Sequence, residues 1–391
     1  MHEQRVHAPP QRSLANACGA VLYHNGGDGF SCDYERGARL CAARHIAALK
    51  GVRFVGERSA GERGAGARRD AHGGGSGEYL IPDDTLTVAE ARALGIRSEH
   101  DLFGGVVPHA FVATKAITQP LLDPDARAPP GWSHAFHVRA HEAVLRGFTA
   151  FSLADALHAG ERLLQAVDGP VRIKQVRATG GRKQAVVHDG AALRRYLAQV
   201  DAAEVGEGGL LLEENLGDVA TLSFGQLLVG DLHASYHGTQ HTTTDRRGRD
   251  AYGGSTLTVV RGGFGALTAL DLDDATAEAL AQVRSYDARA RESFPGLLLS
   301  RSNYDVAQGL DARGRRRSGV LEQSWRIGGA TPAEVVALER LQGDPAVRWV
   351  RAACREVHGA CTPPDDALVL FAGEDPAVGQ ITLYAWVEES G

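Results

Sequence analysis

The sequence predicts a small parallel α/β domain at the N-terminal end, followed by two larger α+β lobes. Three observations predict it. The chain opens as strand, helix, strand; its middle runs strand, helix, strand, Gly turn, strand, helix; its last third is a set of hairpin-forming strands around one long helix. At 391 residues with a 43% hydrophobic share, the chain is globular and too long for one ordinary core. Two or three domains are therefore expected.

In the first part, GAVLYHNGG reads as a strand ending in a turn, DYERGARLCAARHIAALKG as an amphipathic helix closed by Gly51, and VRFVGE as a second strand. ERSAGERGAGARRDAHGGGSGE has no apolar periodicity and reads as a long loop. Gly64 and Gly66 in it leave a phosphate-binding role open, but complete no Gly-rich strand-to-helix turn. A strand (EYLIP) and a helix (TVAEARALGI) follow, and then the Gly104-Gly105 turn leads to Lys115 near the start of a helix. Beyond a Pro-rich connector, WSHAFHVRAHEAVLRG is a helix with His134, His137 and His141 at i, i+3 and i+7. A solvated or interface face is the reading preferred over a metal site.

Charge and cysteine usage exclude several classes. A net charge of −6 with no long basic stripe argues against a nucleic-acid partner. Cys18, Cys32, Cys41, Cys354 and Cys361 form no C-x-x-C pair and no zinc spacing, as expected of reduced thiols in a cytoplasm. Nowhere do eighteen apolar residues run together, and the first residues carry only a short, interrupted apolar run, so a soluble, unexported protein without a membrane partner is expected. Of 42 basic residues only Lys50, Lys115, Lys174 and Lys183 are lysines. A GC-rich genome explains the arginine bias; a retained lysine is expected where a compact point charge is required in place of a planar fork, phosphate coordination being one such use, and three of the four stand in suitable places.

The residues that carry chemistry lie from Phe148 onward. FTAFSLADALHAGERLLQAVDG is a strand and a helix that Ser152 can cap; in PVRIKQV, Lys174 faces opposite to Ile173. Thr179-Gly180-Gly181 is a turn whose amides can approach a phosphate, with Lys183 two residues on. GLLLEENLGD is a buried strand that ends in Glu213 and Glu214, where a backbone edge can read a base and a carboxylate can hold ribose hydroxyls. Gly253, Gly254 and Ser255 read as a tight anion-facing turn. Asp305 and Glu322 fall opposite each other if their strands pair as a hairpin, a placement costly without a cation between them and suited to Mg²⁺. Arg326 stands just beyond, able to pair with a transferring phosphoryl group.

Taken in order, Lys115, Lys174, the Gly turn, LLLEE, Asp305 and Glu322 resemble the ATP-grasp superfamily. DLFGGVVP, NYDVAQG and VLEQSWRIGGATPAE are similar to phrases of an uncharacterised bacterial family within it. The resemblance covers nearly the whole chain and implies an α/β N-terminal domain at 1–100 plus an α+β ATP-grasp fold, with a central subdomain at 101–212 and a C-terminal one at 213–391 clamping ATP. It implies that Lys115, Lys174, Thr179, Gly180, Gly181 and Lys183 meet phosphates, that Glu213 and Glu214 meet adenine and ribose, that Asp305 and Glu322 hold Mg²⁺, and that Lys174 and Arg326 act on the transferred phosphoryl group. The implied reaction passes the γ-phosphoryl group to a carboxylate, and an amine then attacks the acyl phosphate. Small-molecule or peptide carboxylates and amines are the expected substrates, and a homodimer stays open.

Two departures stand out. The superfamily's second metal acid commonly sits in E-x-N, where this chain has Glu322-Gln323-Ser324; serine is the weaker hard ligand, which counts against a second magnesium. Glu214 and Asp218 both compete as the ribose carboxylate. A nucleotide-binding regulatory or scaffold protein without turnover is the alternative reading.

Overall fold

The computed structural model describes residues 19–25, 32–62, 77–176, 184–246 and 248–391. Strands β1 (Ala20–His24), β2 (Phe54–Ser59) and β3 (Tyr79–Pro82) form a parallel sheet in the order β2-β1-β3, with α1 (Asp33–Lys50) packed on it. Small residues on one stripe of α1, among them Ala38, Ala42 and Ala43, let it lie close; Gly51 (φ 79°) ends it in the left-handed conformation that glycine adopts without strain. Next come β4 (Leu86–Thr87), α2 (Val88–Ala93) and β5 (Gly105–Val107), with Thr87 and Glu90 forming a capping box on α2.

Two short 3₁₀ turns, Ala110–Ala113 and Lys115–Thr118, and helix α3 (His134–Ala140) lead into the central lobe. Lys115 therefore begins a 3₁₀ turn and not the helix expected of it, because Thr114, the residue before it, is extended and its hydroxyl caps only this short turn. The lobe contains β6 (Gly147–Ala150), α4 (Leu153–Val167), β7 (Val171–Gln175), β8 (Gln184–Val187), α5 (Gly190–Leu197), α6 (Ala202–Gly208) and β9 (Leu210–Glu214), with sheet order β6-β9-β7-β8. Ser152 caps α4 by accepting from the Asp155 amide. Leu163 of α4 and Leu193 of α5 close over Ile173 and Leu212 in one apolar cluster. Thr179, Gly180, Gly181 and Lys183 lie outside the described residues.

The C-terminal lobe is an eight-stranded antiparallel sheet built from β10 (Gly217–Val229), β11 (Leu232–Thr244), β12 (Asp250–Arg261), β14 (Arg301–Leu310), β15 (Arg316–Ser324), β16 (Trp349–His358), β17 (Leu368–Asp375) and β18 (Gly379–Ser390). Its order is β15-β14-β10-β11-β12-β16-β18-β17. Helix α7 (Phe264–Leu267) follows β12, α8 (Asp274–Ser293) covers the β14–β15 end, and α9 (Thr331–Gly343) with α1 covers β16 and β18. Strand β13 (Leu298–Leu299) pairs back with β5. Gly253, Gly254 and Ser255 form no turn. They run within β12, where Gly254 (φ 128°) lies so close to the Cys354 carbonyl on β16 that a side chain would collide with it.

The three histidines of α3 part company. His137 is buried and stacks on Trp132 at 4.9 Å, and burial drives its imidazole down to about 3, whereas His134 and His141 face outward. Among the described residues no three His, Cys, Asp or Glu side chains gather into a metal set, and no helix is long and apolar enough to cross a membrane.

The N-terminal domain is tied to the C-terminal lobe by His45 of α1, whose Nδ1 lies 2.6 Å from Glu339 Oε1 on α9. Burial works against the imidazolium, but hydrogen bonds with Cys41 and Glu339 outweigh it and raise His45 from 6.5 to about 9. A histidine with a raised folded pKa adds stability that is full below 6.5 and is lost as pH rises through about 9. Urea unfolding between pH 6 and pH 10 is expected to show a fall of about 2 kcal/mol beyond that of a His45→Asn variant. Parallel pH profiles for the two proteins would show that the pair is not charged.

Candidate active site

Antiparallel pairing of β14 and β15 sets Asp305 directly opposite Glu322, with a bulge immediately after, between Asp305 and Val306. Both side chains are half-buried. Asp305 Oδ1 accepts from Ser223 Oγ of β10 (2.9 Å) and from Asn303 Nδ2 (3.0 Å); Gln240 Nε2 donates to Ser223 Oγ (3.0 Å). Burial, and then the charge of Glu322, push the Asp305 carboxyl above the usual carboxylate range.

Lys115 answers this excess of negative charge. Its Nζ lies 2.7 Å from Glu322 Oε2. The contact is built by Gln323, the residue after Glu322, whose Nε2 donates to the carbonyls of Val112 (2.9 Å) and Thr114 (2.7 Å) and whose Oε1 accepts from Tyr286 (3.0 Å). Thr118 Oγ1 donates to the Leu321 carbonyl (3.3 Å) and Thr149 Oγ1 to the Ala116 carbonyl (2.8 Å), so the turn bearing Lys115 is held to β15 on one side and to β6 on the other.

A second lysine–carboxylate pair lies in the central lobe. Lys174 is the register partner of Leu211, so Glu213, two residues further along β9, shares its face, and Lys174 Nζ meets Glu213 Oε1 at 2.5 Å. Glu214 is held by Arg317 of β15 (2.9 Å) and by the Arg146 amide (3.0 Å), with the Arg146 guanidinium at 3.7 Å. Among the described residues, buried polar atoms that make no hydrogen bond then occur in three consecutive residues at this strand end: Glu213 Oε2, Glu214 Oε2 and Asn215 Oδ1. All three are acceptors. Buried acceptors without partners are costly, and a ligand rich in hydroxyl and amino donors would satisfy them. Asp218, the other candidate for ribose, stands exposed in a left-handed conformation (φ 49°).

Arg326 follows β15 and reaches the N-terminal domain, its Nε 3.3 Å from Asp84 Oδ1. Its backbone is held by Arg301, which donates to the carbonyls of Ser324 (3.0 Å) and Arg326. Arg301 is itself buried against Glu334, with Nη2 2.7 Å from Oε1, and the Tyr236 hydroxyl lies 2.7 Å from that carboxylate and 2.8 Å from Asn303 Oδ1. Asn303 is the register partner of Ser324. An amide thus stands beside the position where E-x-N would place one, but its carbonyl faces the Tyr236 hydroxyl.

The structure brings Lys115, Asp305 and Glu322 into one cluster and pairs Lys174 with Glu213 in another. Sequence reasoning missed Ser223, Gln240, Asn303, Gln323, Arg317, Arg146 and the buried Arg301–Glu334 pair. Period-2 alternation puts Asn303 and Asp305 on one strand face and was a usable signal; the others depend on strand order, which no local pattern discloses.

Several solved structures share this fold. The biotin carboxylase domain of Hydrogenobacter thermophilus 2-oxoglutarate carboxylase, solved with MgADP, ADP and bicarbonate, matches with a TM-score of 0.53 at 13% identity, over 95% of this chain and 86% of that one. N5-carboxyaminoimidazole synthetase from Staphylococcus aureus, solved with ADP, matches at 0.53 and 10% identity over 96% and 94%. Biotin carboxylase from Campylobacter jejuni, solved with β-γ-ATP, matches at 0.51 and 12% identity over 95% and 87%. These likenesses show that the fold is the α+β ATP-grasp fold. No curated protein matches the chain. The model of one family, described as Protein of unknown function (DUF3182), matches residues 23–385, and the chain belongs to that family.

Proposed function

We propose that the protein is an ATP- and Mg²⁺-dependent carboxylate–amine ligase working through an acyl phosphate. The observation that carries this reading is the acid pair Asp305–Glu322 set beside Lys115, with a row of buried acceptors at the end of β9 that make no hydrogen bond among the described residues. Binding a nucleoside alone would not need two opposed carboxylates. The donor set fits the groups it would hold: two hard carboxylates suit a magnesium that completes its shell with phosphate oxygens and water, and the acceptors at Glu213, Glu214 and Asn215 suit the hydroxyls and amino group of adenosine.

In this reading Lys115 and Lys174 bind phosphate oxygens, Asp305 and Glu322 hold the metal, and Arg326 orients the anionic group that receives the phosphoryl. Bound magnesium supplies charge neutralisation at the phosphates. Lys174 and Arg326 stabilise charge spread over the transferring group, and the γ-phosphoryl moves to the substrate carboxylate with release of ADP; an amine then displaces phosphate. The alternative of a scaffold without turnover draws on Ser324 in place of the usual amide. Phosphate release on screening carboxylate–amine pairs separates the two.

Thermal unfolding with MgATP is the direct check. At about 100 times the dissociation constant the nucleotide is expected to stabilise by about 2.7 kcal/mol, a rise of several degrees. Lys174→Met is expected to abolish the rise, and an unchanged rise would remove Lys174 from the site.

Asp305 yields a second expectation. An acid with a raised folded pKa costs stability when ionised, and the cost is relieved as pH falls into its titration range. Asp305→Asn is therefore expected to melt no lower than the unaltered protein without ligand at pH 7, yet to lose the Mg²⁺-dependent part of nucleotide stabilisation. A lower ligand-free melting temperature would mean that Asp305 has a structural role.

A further inference from the structure

We infer that Lys115 is a specificity-determining residue: by occupying Glu322, it makes the site accept a divalent metal only together with a nucleotide. The inference rests on the nucleotide reading above and adds a constraint to it. Lys115 is 8% exposed and in contact with Glu322, whose side chain is 38% exposed and therefore reachable from solvent. Asp305 lies opposite on the neighbouring strand.

A metal arriving alone would have to take Glu322 from Lys115, leaving a buried ammonium beside a dication. Desolvation and like-charge repulsion both oppose that state. A nucleotide arriving without metal would draw Lys115 to its phosphates and leave Glu322 and Asp305 facing further negative charge. Only when the two arrive together does each charge exchange one partner for another, Lys115 to a phosphate oxygen and Glu322 to the metal. Lys174 and Glu213 form a second pair of the same kind in the central lobe, with Glu213 Oε2 making no hydrogen bond among the described residues. Gln323 enforces the arrangement, since its two hydrogen bonds fix the turn from which Lys115 projects.

The test uses the full chain with Mn²⁺ as the metal probe, read by electron paramagnetic resonance without nucleotide, and a fluorescent ADP analogue read with Mg²⁺ or with chelator. In the unaltered protein the analogue is expected to bind about tenfold or more weakly in chelator, within the usual span of coupling between ligands. Lys115→Met is expected to tighten nucleotide-free Mn²⁺ binding about tenfold, and adding Glu322→Gln to that variant removes the gain. Lys115→Gln serves as the second variant should Met impair folding, which the melting temperature reports. Equal analogue affinity with and without Mg²⁺ overturns the inference together with the metal role given to Asp305 and Glu322, whereas Mn²⁺ binding unmoved by removing Lys115 overturns the inference and leaves the proposed function standing. Failure of the analogue to bind even with Mg²⁺ overturns both.

Discussion

Two carboxylates placed side by side on neighbouring strands repel, and the arrangement of the site follows from meeting that repulsion. Pairing of β14 with β15 fixes Asp305 against Glu322, and burial first, then the charge of Glu322, raises the Asp305 carboxyl. Ser223 and Asn303 stabilise the aspartate by donating hydrogen bonds. Lys115 neutralises the glutamate, and a side chain of β15 itself, Gln323, holds the lysine's turn in place. A strand face that would be an electrostatic fault in an ordinary sheet becomes a place where a cation is at home.

The same logic extends beyond the acid pair. Glu214 at the end of the central sheet is held by Arg317 of the C-terminal sheet, and Arg326 at the end of β15 reaches Asp84 of the N-terminal domain. Some of the contacts between the parts of the chain are therefore made by residues next to these acid clusters, in addition to the His45–Glu339 pair. The Arg301–Glu334 pair lies beneath them; removing one member would leave a buried charge uncompensated, a loss of about 3–5 kcal/mol, which explains why so costly a pair is fully hydrogen-bonded.

Much of this was legible in the sequence because it is local or periodic. The leucine run ending in Glu213 and Glu214, the alternation that sets Lys174 opposite to Ile173, and the symmetric hairpin spacing around Asp305 and Glu322 are one-dimensional signals, and the structure has these residues on strands as the pattern requires. The Gly253-Gly254-Ser255 stretch misled, since glycine marks both a turn and the close approach of a neighbouring strand, and only the position of β16 tells them apart. Histidine spacing on α3 misled in the opposite sense: a helical repeat shows a shared face but not that Trp132 covers one member of it. Gln323 and Arg317 were invisible because their roles depend on which segment folds over β15.

The central claim is that the Lys115–Glu322 and Lys174–Glu213 pairs stand in for MgATP and give way to it. A crystal structure of the protein grown with MgADP tests this most directly. The account predicts a metal between Asp305 and Glu322, both lysines turned onto phosphate oxygens, and the adenosine donors against Glu213, Glu214 and Asn215. Nucleotide bound elsewhere, with both lysine–carboxylate pairs intact, would contradict it.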